Sequence, residues 1–260
     1  MASSCIADNG WFCVEYLQRS GATLWAATVE HLELTVGSMV AAIVLAVPLA
    51  IIAGRSTRLQ TAMLSVASAI YTIPSLALIT ALWPIFGLTP LTVGTALTLY
   101  ALLVVLRGLI VGLESVPADV VESATGMGVG PIRLLLTVQL PLSLPVALAG
   151  VRVATVSTVG LVTIGALLGH GGLGTVILDG FISNFFHAQI MWATLGCVLI
   201  AVVFDLALLG VQKVMTPWQR STRERSRAHR RLPQAARGAQ TTPTAYDTRA
   251  APAIAAAEQV

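Results

Sequence analysis

Charged side chains are scarce in this 260-residue chain: Asp, Glu, Lys and Arg make up 10% of it, against 56% hydrophobic residues and a mean hydropathy of +0.83. So little charge cannot coat a soluble core, which excludes an ordinary soluble domain. Residues 59–106, 48 in a row, contain no Asp, Glu, Lys or Arg. That is enough for two passes of roughly 20 residues through a hydrocarbon layer about 30 Å thick.

Signatures of catalysis are missing too. There is no G-x-x-x-x-G-K-[ST] phosphate loop, because the glycines of GHGGLGT, residues 169–175, have no lysine to reach phosphate. His31, His170 and His187 are dispersed and no H-E-x-x-H pattern occurs, so no metal, cofactor or catalytic group is expected on this chain. Cysteine is rare: Cys5 and Cys13, eight apart without a wider framework, give only weak grounds for a disulfide, and Cys197 reads as a small apolar filler. The first 30 residues have no basic stretch ahead of an apolar one and do not read as a secretory signal.

What is present is a series of apolar runs. Five spans are expected, at residues 35–54, 62–86, 93–112, 144–169 and 190–211, with FGLTPLT (86–92) as the turn between the second and third. Arg55, Arg58, Arg133, Lys213 and Arg220 fall in one set of connections. The other set, 87–92 and 170–189, has no Lys or Arg. The bias places the N-terminus outside and the C-terminus in the cytoplasm. The polar residues Asp8, Asn9, Glu15, Gln18, Arg19 and Glu30 argue against a sixth, N-terminal span.

Three regions follow: an external or interfacial segment 1–30, a transmembrane domain 31–212, and a basic tail 213–260 expected to be disordered. Trp11, Phe12 and Trp25 in the first suit either headgroup level or packing against spans. The tail, with nine Lys or Arg against three acids, suits anionic lipid. It has no interleaved aromatic platform for nucleic acid.

The segment 115–141 reads as a surface element between two spans. Ser115 is a candidate cap, Pro117 suits an early helical position, and Asp119 and Glu122 favour the positive end of the helix that follows. Val120, Val121, Ala124 and Met127 share an apolar side, and Gly126, Gly128 and Gly130 favour a turn soon after. Pro131 then restarts a helix expected to end near Gln139–Pro141. Such a knob fits a groove on another protein; an inert connector has the same local pattern.

On these residues the chain resembles the permeases of ABC importers. Their cytoplasmic signature is E-A-A, three residues, G, nine residues, I, one residue, L-P; here it reads Glu122, Ser123, Ala124, Gly128, Val138, Leu140 and Pro141, with every interval kept. Ser123 and Val138 are small departures. YTIPSLALITALWPIFG (71–87) and RVATVSTVGLVTIGALLGHGGLG (152–174) are similar to the permeases of osmoprotectant importers for glycine betaine, choline, carnitine and related quaternary ammonium compounds, except that His170 stands where that family usually has a small residue. The resemblance covers about 31–212. It implies a type I ABC importer permease fold in a bacterial inner membrane. It also implies a second permease subunit, identical or related, an extracytoplasmic substrate-binding protein, and a separate ATP-binding subunit that uses ATP and Mg and docks on the knob. The alternatives are an ABC permease for another small polar solute and an ion-coupled secondary transporter, against which five spans and the knob count.

Candidates for the path and its gate are Tyr71, Pro74 and Ser75, because Pro74 interrupts a span and frees carbonyl groups that must face protein or water. A simple packing kink is the competing reading. Tyr71, Trp83 and Tyr100 show no cage-like spacing for a quaternary ammonium. Arg107, Arg152 and Asp205 are candidates for an intramembrane charge network, in which Asp205 pairs with one of the arginines; snorkelling is the ordinary alternative for both.

Overall fold

The computed structural model describes residues 5, 6, 8–183 and 185–217 of the chain. It forms one unit over Met1–Thr216, and of the unit that begins at Pro217 nothing beyond Pro217 itself is described. The basic run 220–231 and the expected lipid contact of the tail therefore lie outside the described residues.

The first helix, α1 (Val14–Ala53), is 40 residues long, about 60 Å at 1.5 Å per residue and twice the hydrocarbon thickness. The first span, expected at 35–54, is thus the later half of a longer helix that begins 21 residues before it. The polar residues that argued against a separate N-terminal span lie on an extension of the same helix. In its second half Ala42, Ala46, Ala50 and Ala53 recur at helical spacing and are buried against Ala101, Val105, Leu106 and Ile110 of α4 (Pro90–Glu114). Small side chains let the two backbones approach closely, which is how helices hold together where water supplies no drive.

Between them, the single span expected at 62–86 is two helices, α2 (Thr57–Thr72) and α3 (Ser75–Phe86), bent by 96°. Ile73 and Pro74 are extended at the corner, since Pro74 has no amide for a helical bond and disfavours helix in the residue before it. Gly87, at φ 71, ends α3, and Pro90 opens α4.

After α4 come α5 (Ala118–Gly126) and a short turn, α6 (Pro131–Leu134). From there the chain does not stop at Pro141 as expected. A π-helical turn, Leu135–Gln139, carries it into α7 (Leu140–Val162), so that residues 131–168 run as one apolar rod with a 3-10 turn, Thr163–Leu168, at its far end. Pro141 lies in the first turn of α7, where a missing amide is tolerated, and a π bulge absorbs the misfit just before it. Where α7 crosses α4, a Cβ built on Gly108 or Gly150 would lie 2.9 or 2.8 Å from the other glycine's Cα. Only glycine fits there.

The segment 170–189, expected as an external loop, contains an apolar helix, α8 (Leu173–Ile182), which at 10 residues is too short to cross. It packs against α9 (His187–Met215). Gly165 and the glycines of GHGGLGT build the corner: a side chain on Gly165 or Gly171 would strike His170 or Ala166, and one on Gly172, at φ 53, would strike the backbone of His31. His31 is fully buried there, with Nε2 3.1 Å from the carbonyl of Val159. Among the described residues four helical rods are long and apolar enough to cross a membrane, and counting the bent pair as one span makes five.

Candidate functional site

The knob is α5 and the turn that closes it. Ser115 does not cap α5; its hydroxyl donates to the carbonyl of Gly112, 2.6 Å away, and so finishes α4. Pro117 is the residue that precedes α5, and Asp119 lies in its first turn, favourable to the helix dipole. At the other end the amide of Gly128 donates to Thr125 and that of Val129 to Ala124, at 2.9 and 3.2 Å. This paired closure needs a left-handed residue, supplied by Gly128 at φ 81. A Cβ there would meet nothing within 4 Å, so conformation, not space, selects the glycine.

Of the signature residues, Ala124 is buried, while Glu122, Ser123, Gly128 and Leu140 are exposed and Val138 and Pro141 half-buried. Asp119, Val120, Ser123, Ala124, Met127 and Val138 line one groove of about 380 Å³. The groove brings together both ends of the motif, which lie on α5 and on the π-helical turn. Beside it Met127 and Ile132 are 77% and 74% exposed.

At the broken span, Tyr71 stands edge-on to Tyr100 with ring centroids 5.4 Å apart, and the Tyr100 hydroxyl donates to the carbonyl of Ile73. The Ile73 carbonyl, left outside the helical ladders at the corner, therefore has a protein partner, and the Ile70 carbonyl accepts from the Ile73 amide. Tyr100 is the residue of this site that the sequence did not bring to Pro74, since its link is purely tertiary across 27 residues. Ser75 opens α3, and Trp83 is exposed apart from the tyrosine pair. Arg152 and Asp205 form an ion pair between α7 and α9, 25% and 34% exposed in their side chains. Arg107 is exposed and has no ion pair among the described residues.

Glu30 and Glu33, to which the sequence analysis gave no role in a site, line a cavity of about 550 Å³ between α1 and α4, with Ser38, Gly94, Thr95 and Thr98 on its wall. His170 Nδ1 lies 3.6 Å from Glu30 Oε1.

At the N-terminal end of the bundle Cys5 and Cys13 are joined in a disulfide, with Cα atoms 5.5 Å apart. Spacing alone could not establish this pairing, because the approach of the two sulfurs depends on the turn between them. Together with Glu15 they are the one group of metal-capable side chains among the described residues, and with the sulfurs bonded to each other they offer no thiolate. Asn9, inside the loop so closed, reaches the α8–α9 connection. Its side chain donates to the carbonyl of Phe185 at 3.0 Å and accepts from the amide of His187 at 2.8 Å, and its own carbonyl lies 2.9 Å from His187 Nδ1. Trp11 stacks on the His187 ring at 4.2 Å, and the Trp192 indole donates to the carbonyl of Cys13.

The chain matches the family model described as "Binding-protein-dependent transport system inner membrane component" over residues 46–221. It is 34% identical over 209 residues to "Osmoprotectant import permease protein OsmW" of Salmonella typhimurium, covering 78% of this chain and 97% of that one. It is 30% identical over 205 residues to "Choline transport system permease protein OpuBB" of Bacillus subtilis, covering 78% and 94%. Its fold is similar to that of a chain in "Inward facing conformations of the MetNI methionine ABC transporter", at a TM-score of 0.71 and 18% identity over 76% of this chain and 98% of that one. The chain is an all-α, multi-span permease of the type I ABC-importer fold, and it belongs to the binding-protein-dependent inner-membrane components, in the osmoprotectant group of ABC-importer permeases.

Proposed function

We propose that this chain is the membrane subunit through which an ATP-driven importer passes quaternary ammonium osmoprotectants such as glycine betaine, choline or carnitine. ATP hydrolysis, with Mg, belongs to a separate ATP-binding subunit. A second permease and an extracytoplasmic binding protein complete the assembly. The observation that carries the reading is the knob: signature residues from α5 and from the root of α7 share one groove, flanked by bare Met127 and Ile132. Because α6 and the π-helical turn run straight into α7, and only the four-residue turn 127–130 separates α5 from α6, a push on the knob is passed to a membrane rod. Closure of the ATPase and docking of the binding protein then favour different packings of the bundle, a population shift between two states.

The N-terminus is assigned to the outside. The Lys/Arg bias supports that placement, and so does the Cys5–Cys13 disulfide, a bond that persists in oxidising compartments. The test is recovery of the ATP-binding subunit with affinity-tagged permease. Met127→Asp with Ile132→Asp should abolish co-purification while membrane insertion and yield stay normal. Unchanged recovery of the ATPase would refute the docking surface.

A further inference from the structure

The two residues other than glycine that adopt positive φ among those described are Asn9, at 49°, and Phe185, at 53°, and they are hydrogen-bonded to each other. Asparagine tolerates this region, but phenylalanine adopts it only when its surroundings impose it. Here the imposition comes from the disulfide-closed loop. Asn9 holds both the carbonyl of Phe185 and the amide of His187, Trp11 covers the His187 ring, and Tyr16 meets Phe186 edge-on at 5.4 Å. The clasp joins the start of α1 to the start of α9 and fixes the connection that sets α8 against α9. The family match begins at residue 46, so the N-terminal half of the clasp lies outside it and the α8–α9 half within it.

We propose that the Cys5–Cys13 disulfide is a redox-sensitive latch on the α8–α9 connection, opened by thiol–disulfide exchange with an external dithiol. The proposal rests on the outward placement of the N-terminus given above. Cys13 is buried and Cys5 only half-buried, so exchange starts at Cys5. A thiolate of the dithiol attacks Cys5 Sγ, the Sγ–Sγ bond breaks, and Cys13 leaves and takes up a proton. The second thiol of the reagent resolves the mixed disulfide, releasing Cys5 as a thiol. The protein gains two electrons and two protons, and the dithiol becomes a disulfide. Without the cross-link the short loop regains chain entropy, Asn9 no longer stays in place, and the Phe185 turn relaxes.

The experiment is hydrogen exchange on the complete assembly in proteoliposomes with binding-protein sides outward, before and after a membrane-impermeant dithiol, following peptides that span 183–192 against a reference peptide in α4. Reduction should speed exchange in 183–192 on the order of tenfold, leave α4 unchanged and slow solute uptake several-fold. Asn9→Ala, with the disulfide intact, should give the same acceleration, and Cys5→Ser with Cys13→Ser should make exchange insensitive to the dithiol. Reduction verified by thiol labelling with unchanged exchange in 183–192 would overturn the latch. Reduction only by a membrane-permeant thiol would instead overturn the outward placement, and with it the external route.

Discussion

Arg152 on α7 donates from both Nε and Nη2 to one carboxylate oxygen, Oδ1 of Asp205 on α9, at 2.9 and 2.6 Å. Two hydrogen bonds on a single oxygen fix the guanidinium more firmly than charge attraction alone. The pair ties the rod that continues from the knob to the last span, and Arg107 on α4 takes no part in it.

Removing one member leaves a partly buried charge unpaired in an apolar setting, whereas removing both leaves none. Arg152→Met and Asp205→Leu should each lower stability in detergent by about 1–2 kcal/mol, a figure reduced for the partial exposure of the pair, and the double variant should recover most of that loss. Thermal unfolding of the four proteins checks this. Additive losses in the double variant would show that the two charges are not coupled.

Gly128→Ala should separate coupling from folding. The left-handed residue becomes costly by about 1 kcal/mol, and the closure of α5 loosens although no atom clashes. Solute-stimulated ATP hydrolysis by the assembly should fall while permease yield stays normal. Gly126→Ala, inside α5 with open space around its Cβ, should leave both unchanged or slightly improve helix stability.

Tyr100→Phe keeps the edge-on contact with Tyr71 but removes the donor to the Ile73 carbonyl. An unpaired carbonyl at membrane depth should destabilise the bent form by about 1–3 kcal/mol. Cross-linking between cysteines introduced on α3 and α4 should weaken relative to the parent. An unchanged cross-linking pattern would mean that Pro74 alone maintains the 96° corner.

Glu30→Gln with Glu33→Gln tests the cavity between α1 and α4. Choline is a cation, whereas glycine betaine carries a compensating carboxylate, so loss of two negative charges should raise the KM for choline uptake several-fold and that for glycine betaine much less. Equal effects on both solutes would take electrostatic selection away from this cavity.

The class of the molecule was legible because scarcity of charge and the length of apolar runs act locally, as did the knob, whose glycines and acids carry their own conformational preferences. Features that depend on distant partners were not. Pro74 announced a break but not its size, which involves Tyr100. Pro141 read as a stop because the π-helical turn that accommodates it has no sequence mark of its own. Glu15, Arg19 and Glu30 hid the length of α1, since a helix that leaves the membrane changes solvent without changing backbone. Cys5 and Cys13 came together only through a turn whose contacts lie some 180 residues away, at His187 and Trp192.

The central claim, that the chain is the quaternary ammonium path of an ATP-driven importer, is tested most directly by uptake of labelled choline and glycine betaine into proteoliposomes holding the complete assembly, with ATP on the side of the ATP-binding subunits. The expected result is ATP-dependent accumulation of at least one of the two, lost with Met127→Asp and Ile132→Asp. An assembly that hydrolyses ATP and accumulates neither compound would contradict the substrate assignment, and accumulation that persists without the ATP-binding subunit would contradict the importer mechanism itself.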